Sequence, residues 1–198
     1  MIKRIVALTV LVPALLSTAV SAAEAHPAPA PHASADVVTL TYDASDAGQW
    51  AGPIKQAVQN WNNAVHNVRL EPASSPEAAD YVYEGTSGWP QTTLGPIFPG
   101  GSGEVQLGRQ AVDEGYDATR ITAHETGHIL GLPDDYSGPC SEIMSGHGPG
   151  TSCTNAKPDA AEAAQVDENY ASGESAMRAH HHQVVIDVWT GRVLTRPH

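Results

Sequence analysis

The residues of this chain that can do chemistry together lie in one stretch, Thr122-Ala-His-Glu-Thr-Gly-His-Ile-Leu-Gly-Leu-Pro-Asp-Asp-Tyr136. In it His124, Glu125, His128, Gly131 and Asp134 follow the spacing H-E-x-x-H-x-x-G-x-x-D. Positions four apart on an α-helix lie above one another on one face, so His124 and His128 can offer two imidazole nitrogens to a single metal ion. Glu125, one residue further round, points beside such an ion, where a carboxylate can take a proton from water without being a ligand. Gly131 suits the end of the helix, because the chain must reverse there and glycine enters the left-handed region without steric cost. That reversal can return Asp134 to the ion as third ligand, and Pro133 helps to stop the helix. Three protein ligands leave a fourth position open, which is the arrangement of a catalytic and not of a structural zinc site.

Two histidines on a solvated helix face are ordinary, and the five-residue pattern alone is only suggestive. The added requirement of Gly131 and a ligand at 134 is what favours metal. The order H-E-x-x-H-x-x-G-x-x-H followed by a methionine turn marks the metzincin metalloproteases, and here Ser141-Glu-Ile-Met-Ser-Gly146 stands where that turn belongs. The chain resembles this clan, with Asp134 in place of the third His. Asp134, Tyr136, Met144 and the cysteines at 140 and 153 resemble the snapalysin family in particular, from about Thr39 to about Gly173.

The resemblance implies an α+β, metzincin-like domain: a small twisted mixed sheet, a long backing helix, an active-site helix and a C-terminal helix. It implies a secreted zinc endopeptidase holding one catalytic zinc on His124, His128 and Asp134, with Glu125 as general base and then general acid. Tyr136 would support the oxyanion, and Met144 would form a packing floor under the ligands. It further implies preference for an aromatic residue just after the cleaved bond. Asp117 has two readings, as N-cap of the motif helix or, with Thr119, as holder of a structural calcium. The two cysteines, Cys140 and Cys153, are expected to be bridged in an oxidising compartment, the alternatives being free thiols or zinc thiolates. Closing a loop of about 14 residues would contribute ~3 kcal/mol. The competing functions are a secreted zinc-binding protein without turnover and a zinc hydrolase acting on a non-peptide amide or ester.

The elements that must position these residues follow from periodicity. Val37 to Tyr42 alternates and is β-branched, predicting a strand. Ile54, Ala57, Val58, Trp61, Ala64 and Val65 fall at helical spacing within 52–66, predicting a long amphipathic helix with Trp61 in the core. Val68–Leu70 and Tyr81–Glu84 predict two further strands. Residues 87–103, rich in Gly and Pro, are expected to be an irregular loop above the cleft. Residues 104–107 can be a strand, and the resemblance implies that it is the edge strand that receives substrate by β-augmentation. The motif helix should open near Ala118 or Thr119, and Gly146–Gly150 should wall the specificity pocket. Pro158 to Tyr170 predicts a helix with proline in its first turn.

The chain of 198 residues has room for one domain. Residues 1–22 carry Lys3 and Arg4, an apolar run from Ile5 to Leu16, and small residues up to Ala22, which predicts a secretory signal too short to span a membrane stably. Its removal deletes two positive and no acidic residues, taking the formal charge from −12 to −14. That charge argues against nucleic acid as a partner and favours solubility outside the cell. The expected partners are proteins or peptides, with no membrane after signal removal, and the expected state is a monomer. The Ala/Pro-rich residues 23–38 cannot pack a core, and the resemblance implies that they are a short pro-segment and that 39–173 are the catalytic domain. Residues 174–198 extend beyond the family-like region, with a solvated His180–His182 tract and a hairpin-like pair, 184–189 and 192–195, around Thr190 and Gly191. No chemistry is legible in that extension.

Overall fold

In the computed structural model, residues 37–171 and 183–189 are described. The signal and most of the pro-segment, the histidine tract at 180–182 and the second arm of the expected hairpin lie outside them. Ten elements follow in order: β1 (Val38–Asp43), α1 (Ala51–Ala64), β2 (Val68–Pro72), β3 (Tyr81–Thr86), β4 (Gln91–Leu94), β5 (Gly103–Gly108), α2 (Arg109–Asp113), α3 (Ala118–Ile129), α4 (Ala160–Asn169) and β6 (Gln183–Ile186). The sheet order is β2-β1-β3-β5-β4-β6. The pairs among β2, β1, β3 and β5 are parallel, β4 runs antiparallel to β5, and β6 runs antiparallel to β4. This is the mixed sheet with helices that the resemblance implied.

The alternating strands bury one face as their pattern requires. Leu40, Leu70, Tyr81, Tyr83, Val105 and Leu107 all enter the core. α1 contributes Ile54, Ala57, Val58 and Trp61, and the Trp61 indole donates to the Ala123 carbonyl at 2.8 Å. That bond ties α1 to α3, the central helix, in which every residue from Arg120 to Ile129 is buried. Tyr83 of β3 contacts the Thr126 hydroxyl at 2.8 Å from the sheet side.

Two expectations about the cleft are corrected. The segment 87–103 is not wholly irregular, because Gln91–Leu94 forms β4. It was unreadable because Gln-Thr-Thr-Leu has no apolar alternation, and cross-strand pairing supplies its order. Residues 104–107 do form a strand, but β5 lies between β3 and β4 and is not an edge strand; β4 is the next strand out on that side, with β6 beyond it. Alternation in Glu-Val-Gln-Leu reports one buried face and says nothing about which neighbour is missing. Of the expected hairpin only the first arm is described, and residues 183–186 pair with β4.

The loop carrying Met144 is held from several directions. Cys140 and Cys153 are bonded, with Cα atoms 5.6 Å apart. Glu162 closes a capping box with Asp159 at the start of α4, and Pro158 therefore stands before the cap and not in the first turn. The same Glu162 carboxylate accepts from the Ile143 and Met144 amides at 3.0 and 2.7 Å. Arg120, wholly buried, donates to the carbonyls of Gly146, Asn155 and Glu142 and to the Ser145 hydroxyl at 2.8–3.1 Å. Burial depresses the Arg120 pKa, against the carboxylates of Glu162 and Asp117. Replacing Arg120 with Gln leaves several buried acceptors unpaired and is expected to cost about 3 kcal/mol or more. Denaturant unfolding measures this, and a loss under about 0.5 kcal/mol, typical of surface positions, would contradict it.

Candidate metal centre

The centre is built on α3. Asp117 caps it, its carboxylate accepting from the Arg120 amide at 2.8 Å, which is the capping reading of that residue. At the other end Gly131 has φ +92°. Its amide reaches the His128 carbonyl at 2.9 Å while the Leu132 amide reaches Gly127 at 3.0 Å, the paired bonds of a Schellman turn. A side chain at Gly131 would also meet Pro96 at 2.8 Å. This turn carries the chain back so that Asp134 faces His124 and His128.

Each imidazole is fixed through its far nitrogen. His124 Nδ1 lies 3.0 Å from the Ile143 carbonyl and His128 Nδ1 2.8 Å from the Leu132 carbonyl. A carbonyl only accepts, so both Nδ1 atoms carry protons and both Nε2 atoms turn to the centre. There they meet Asp134 Oδ1 at 3.1 and 3.4 Å and Asp187 Oδ2 at 3.1 Å each. The four ligand atoms lie within 4.8 Å of one another. Among the described residues this is the one cluster of three or more His, Cys, Asp or Glu side chains close enough to share an ion. None gathers at Asp117 and Thr119, so the calcium expectation finds no support.

The donor set fits a metal ion. Neutral imidazoles with Nδ1–H engaged turn lone pairs toward carboxylate oxygens, and such acceptors approach one another only with protons or a cation between them. Asp134 Oδ1 is buried and makes no hydrogen bond of acceptable geometry. Two imidazole nitrogens with carboxylate oxygens are a zinc donor set.

Around the cluster, Glu125 is fully buried. The Thr92 hydroxyl of β4 donates to its Oε2 at 2.7 Å, whereas Oε1 has no hydrogen-bond partner. Tyr136 donates its phenol to Asp187 Oδ1, and its ring lies 4.3 Å from that of His147. Met144 is buried beneath α3 at Gly127, where an added Cβ would stand 2.4 Å from the Met144 sulfur. The second x of the motif is thus a glycine because the methionine floor needs its space.

The electrostatics agree with the charges present. Burial disfavours a charged His124, but the Asp187 and Asp134 carboxylates outweigh it and hold its pKa well above the usual range. The same opposition raises His128 to about 9. Burial would raise Asp187 and Asp134, but the neighbouring imidazoles bring both below the ordinary carboxylate range. Burial, with the Asp187 charge added, lifts Glu125 to about 8 against the pull of His124, His128 and Thr92. Tyr136 is raised by burial and by Asp187, and so stays a donor.

Sequence reasoning anticipated the positions of His124, Glu125, His128, Asp134, Tyr136 and Met144 around one centre. It missed Asp187, Thr92 and Arg120. Asp187 stands 53 positions beyond Asp134, with no motif to flag it. A polar Thr in a Gly/Pro-rich segment and an Arg in the first turn of a helix likewise carry no signal of burial.

A profile of the Streptomyces extracellular neutral proteinase (M7) family matches residues 37–173. The "Extracellular small neutral protease" of Streptomyces coelicolor is 48% identical over 137 residues, 69% of this chain and 61% of that protein. The protein of the same name from Streptomyces caespitosus is 46% identical over 136 residues, 69% of this chain and 99% of that one. The chain therefore spans less than two thirds of the S. coelicolor protein and nearly all of the S. caespitosus one. Among solved structures, archaemetzincin from Methanopyrus kandleri superposes with a TM-score of 0.41 at 15% identity, over 70% of this chain and 97% of that one, a likeness too loose to carry argument. Residues 183–189 lie outside the matched region.

Because ligation needs neutral imidazoles and His128 titrates at about 9 without metal, metal binding at pH 7 is expected to release protons and to tighten as pH rises toward 9. The sign for stability is opposite. The His128 pKa is raised from 6.5 to about 9, so its contribution to the metal-free fold is complete below 6.5 and is lost as pH rises through about 9. Zinc titration calorimetry in buffers of different ionisation enthalpy checks the first, and pH-dependent melting of the metal-free protein the second. Zinc affinity independent of pH from 6 to 9 would contradict the assignment.

Proposed function

This chain belongs to the Streptomyces extracellular neutral proteinase (M7) family, and on that premise we propose that it is a secreted, monomeric zinc endopeptidase. One observation carries the reading: two imidazoles and Asp134 converge on one point beside a buried glutamate whose free oxygen has no other partner. His124, His128 and Asp134 would hold the zinc, with Asp134 making a milder Lewis acid than a third imidazole. The bound metal supplies Lewis acidity to a peptide carbonyl and to water.

The remaining steps belong to the protein's own groups. Peptide adds along the side of β4 that β6 covers here, through main-chain hydrogen bonds made in place of those of β6. Glu125 Oε1 takes a proton from the attacking water and passes it to the leaving amine, while the Thr92 hydroxyl keeps the carboxylate from rotating. The Tyr136 phenol, kept protonated, donates to the oxyanion that develops in the transition state. Met144 holds α3 from beneath. An aromatic residue is preferred just after the scissile bond, a reading supported by the fully buried Trp189 ring beside Tyr116 and His124, at centroid distances of 5.2 and 5.3 Å.

One observation favours a second reading, zinc binding without turnover. With Asp187 included the site offers four protein ligands, the number of a closed structural site.

Casein cleavage abolished by 1,10-phenanthroline and restored by zinc is the expected result. Glu125→Gln should keep zinc and lose about 100-fold or more in rate, and Asp134→Ala should lose both zinc and cleavage. Stoichiometric zinc with no cleavage by either the wild-type or the Asp187→Ala chain would favour the second reading. Equal activity of Glu125→Gln and wild type would sink the mechanism.

A further inference from the structure

Residues 183–189 lie in the cleft as a peptide ligand would. β6 pairs antiparallel with β4 in the register Leu94↔Gln183 to Gln91↔Ile186, and the ladder continues through the Asp187 amide to the Pro90 carbonyl at 2.9 Å. Strand alternation points Val184 and Ile186 outward, 58% and 59% exposed, and Asp187 inward, 0% exposed. The Asp187 carboxylate reaches both His Nε2 atoms at 3.1 Å and takes the Tyr136 phenol proton in hydrogen bonding. Two residues on, Trp189 is wholly buried, edge-on to Tyr116 and His124. With this segment in place Glu125, His124 and His128 have no solvent exposure. A general base without access to water or substrate cannot work.

We propose that residues 183–189 are an internal inhibitor of this chain's own cleft, with Asp187 as a removable fourth metal ligand and Trp189 as the anchor of the strand. The proposal rests on the protease reading above. The segment is held without being cut because a side-chain carboxylate, and not a peptide carbonyl, meets the ligand cluster. Asp187 then occupies the fourth position that catalysis needs open, and it engages the phenol otherwise available to an oxyanion. The four-ligand geometry is thereby a latent state of a catalytic site. Displacing the strand restores three protein ligands, uncovers Glu125 and frees the β4 edge.

The test uses the full chain as wild type, Asp187→Ala and Trp189→Ala, each checked for cooperative melting. Zinc-loaded samples are assayed on casein, and cobalt-loaded samples are read by visible absorption, which reports the ligand set independently of activity. Both variants should cleave casein about tenfold faster or more, the loss of one good contact. The cobalt spectrum should change on Asp187→Ala. A synthetic peptide of residues 183–189 should slow the Asp187→Ala chain competitively with casein. Equal rates and an unchanged cobalt spectrum, with chelator-sensitive cleavage by all chains, would overturn the inhibitor and leave the protease standing. A changed spectrum and binding of the peptide to the Asp187→Ala chain, with no cleavage by any chain, would overturn the protease and latency while keeping the fourth ligand. Latency lost on dilution of the wild type would overturn its intramolecular form.

Discussion

Everything at this centre depends on two backbone carbonyls. Ile143 and Leu132 accept the Nδ1 protons of His124 and His128, which aims both Nε2 lone pairs at one point. Without those bonds each ring could rotate or exchange tautomer, and a helix buried along almost its whole length would carry unsatisfied polar atoms. The carbonyls come from the two segments that follow α3, the glycine-terminated turn and the methionine loop. The ligand geometry is therefore only as good as the hold on those segments.

That hold explains features with no direct part in chemistry. Arg120 gathers the carbonyls of the methionine loop, Glu162 takes its amides, and the Cys140–Cys153 bond closes its far side. Gly127 lets Met144 lie against the helix beneath the ligands. A buried charge is costly unless fully paired, and here the buried Arg120, together with the partly buried Glu162, orders irregular backbone. The sheet performs the matching service on the other side, where β4 carries the Thr92 hydroxyl that holds Glu125.

The helix–turn chemistry was legible in the sequence because it is local. Histidines four apart, a glycine at the reversal and Asp134 three residues on must meet wherever that helix forms, and Asp117 caps it by the same local logic. β1, α1, β2 and β3 were legible from their periodicity, since each buries one face. β4 was not, because its four residues owe their order to neighbouring strands. Asp187 was invisible for a different reason: its role is created by strand pairing across more than 90 residues of chain, between Ile186 and Gln91. Arg120 illustrates a third limit, in that a cation at the start of a helix reads as exposed until the loop that surrounds it is placed.

The central claim is that His124, His128 and Asp134, met by Asp187, converge on one zinc ion. Zinc-edge X-ray absorption of the full chain tests it most directly. The account predicts two imidazoles and oxygen ligands at about 2.0–2.2 Å with no sulfur scatterer near 2.3 Å, and a change in the oxygen shell alone in the Asp187→Ala chain. A single imidazole, a sulfur ligand, or an oxygen shell indifferent to Asp187 would contradict it.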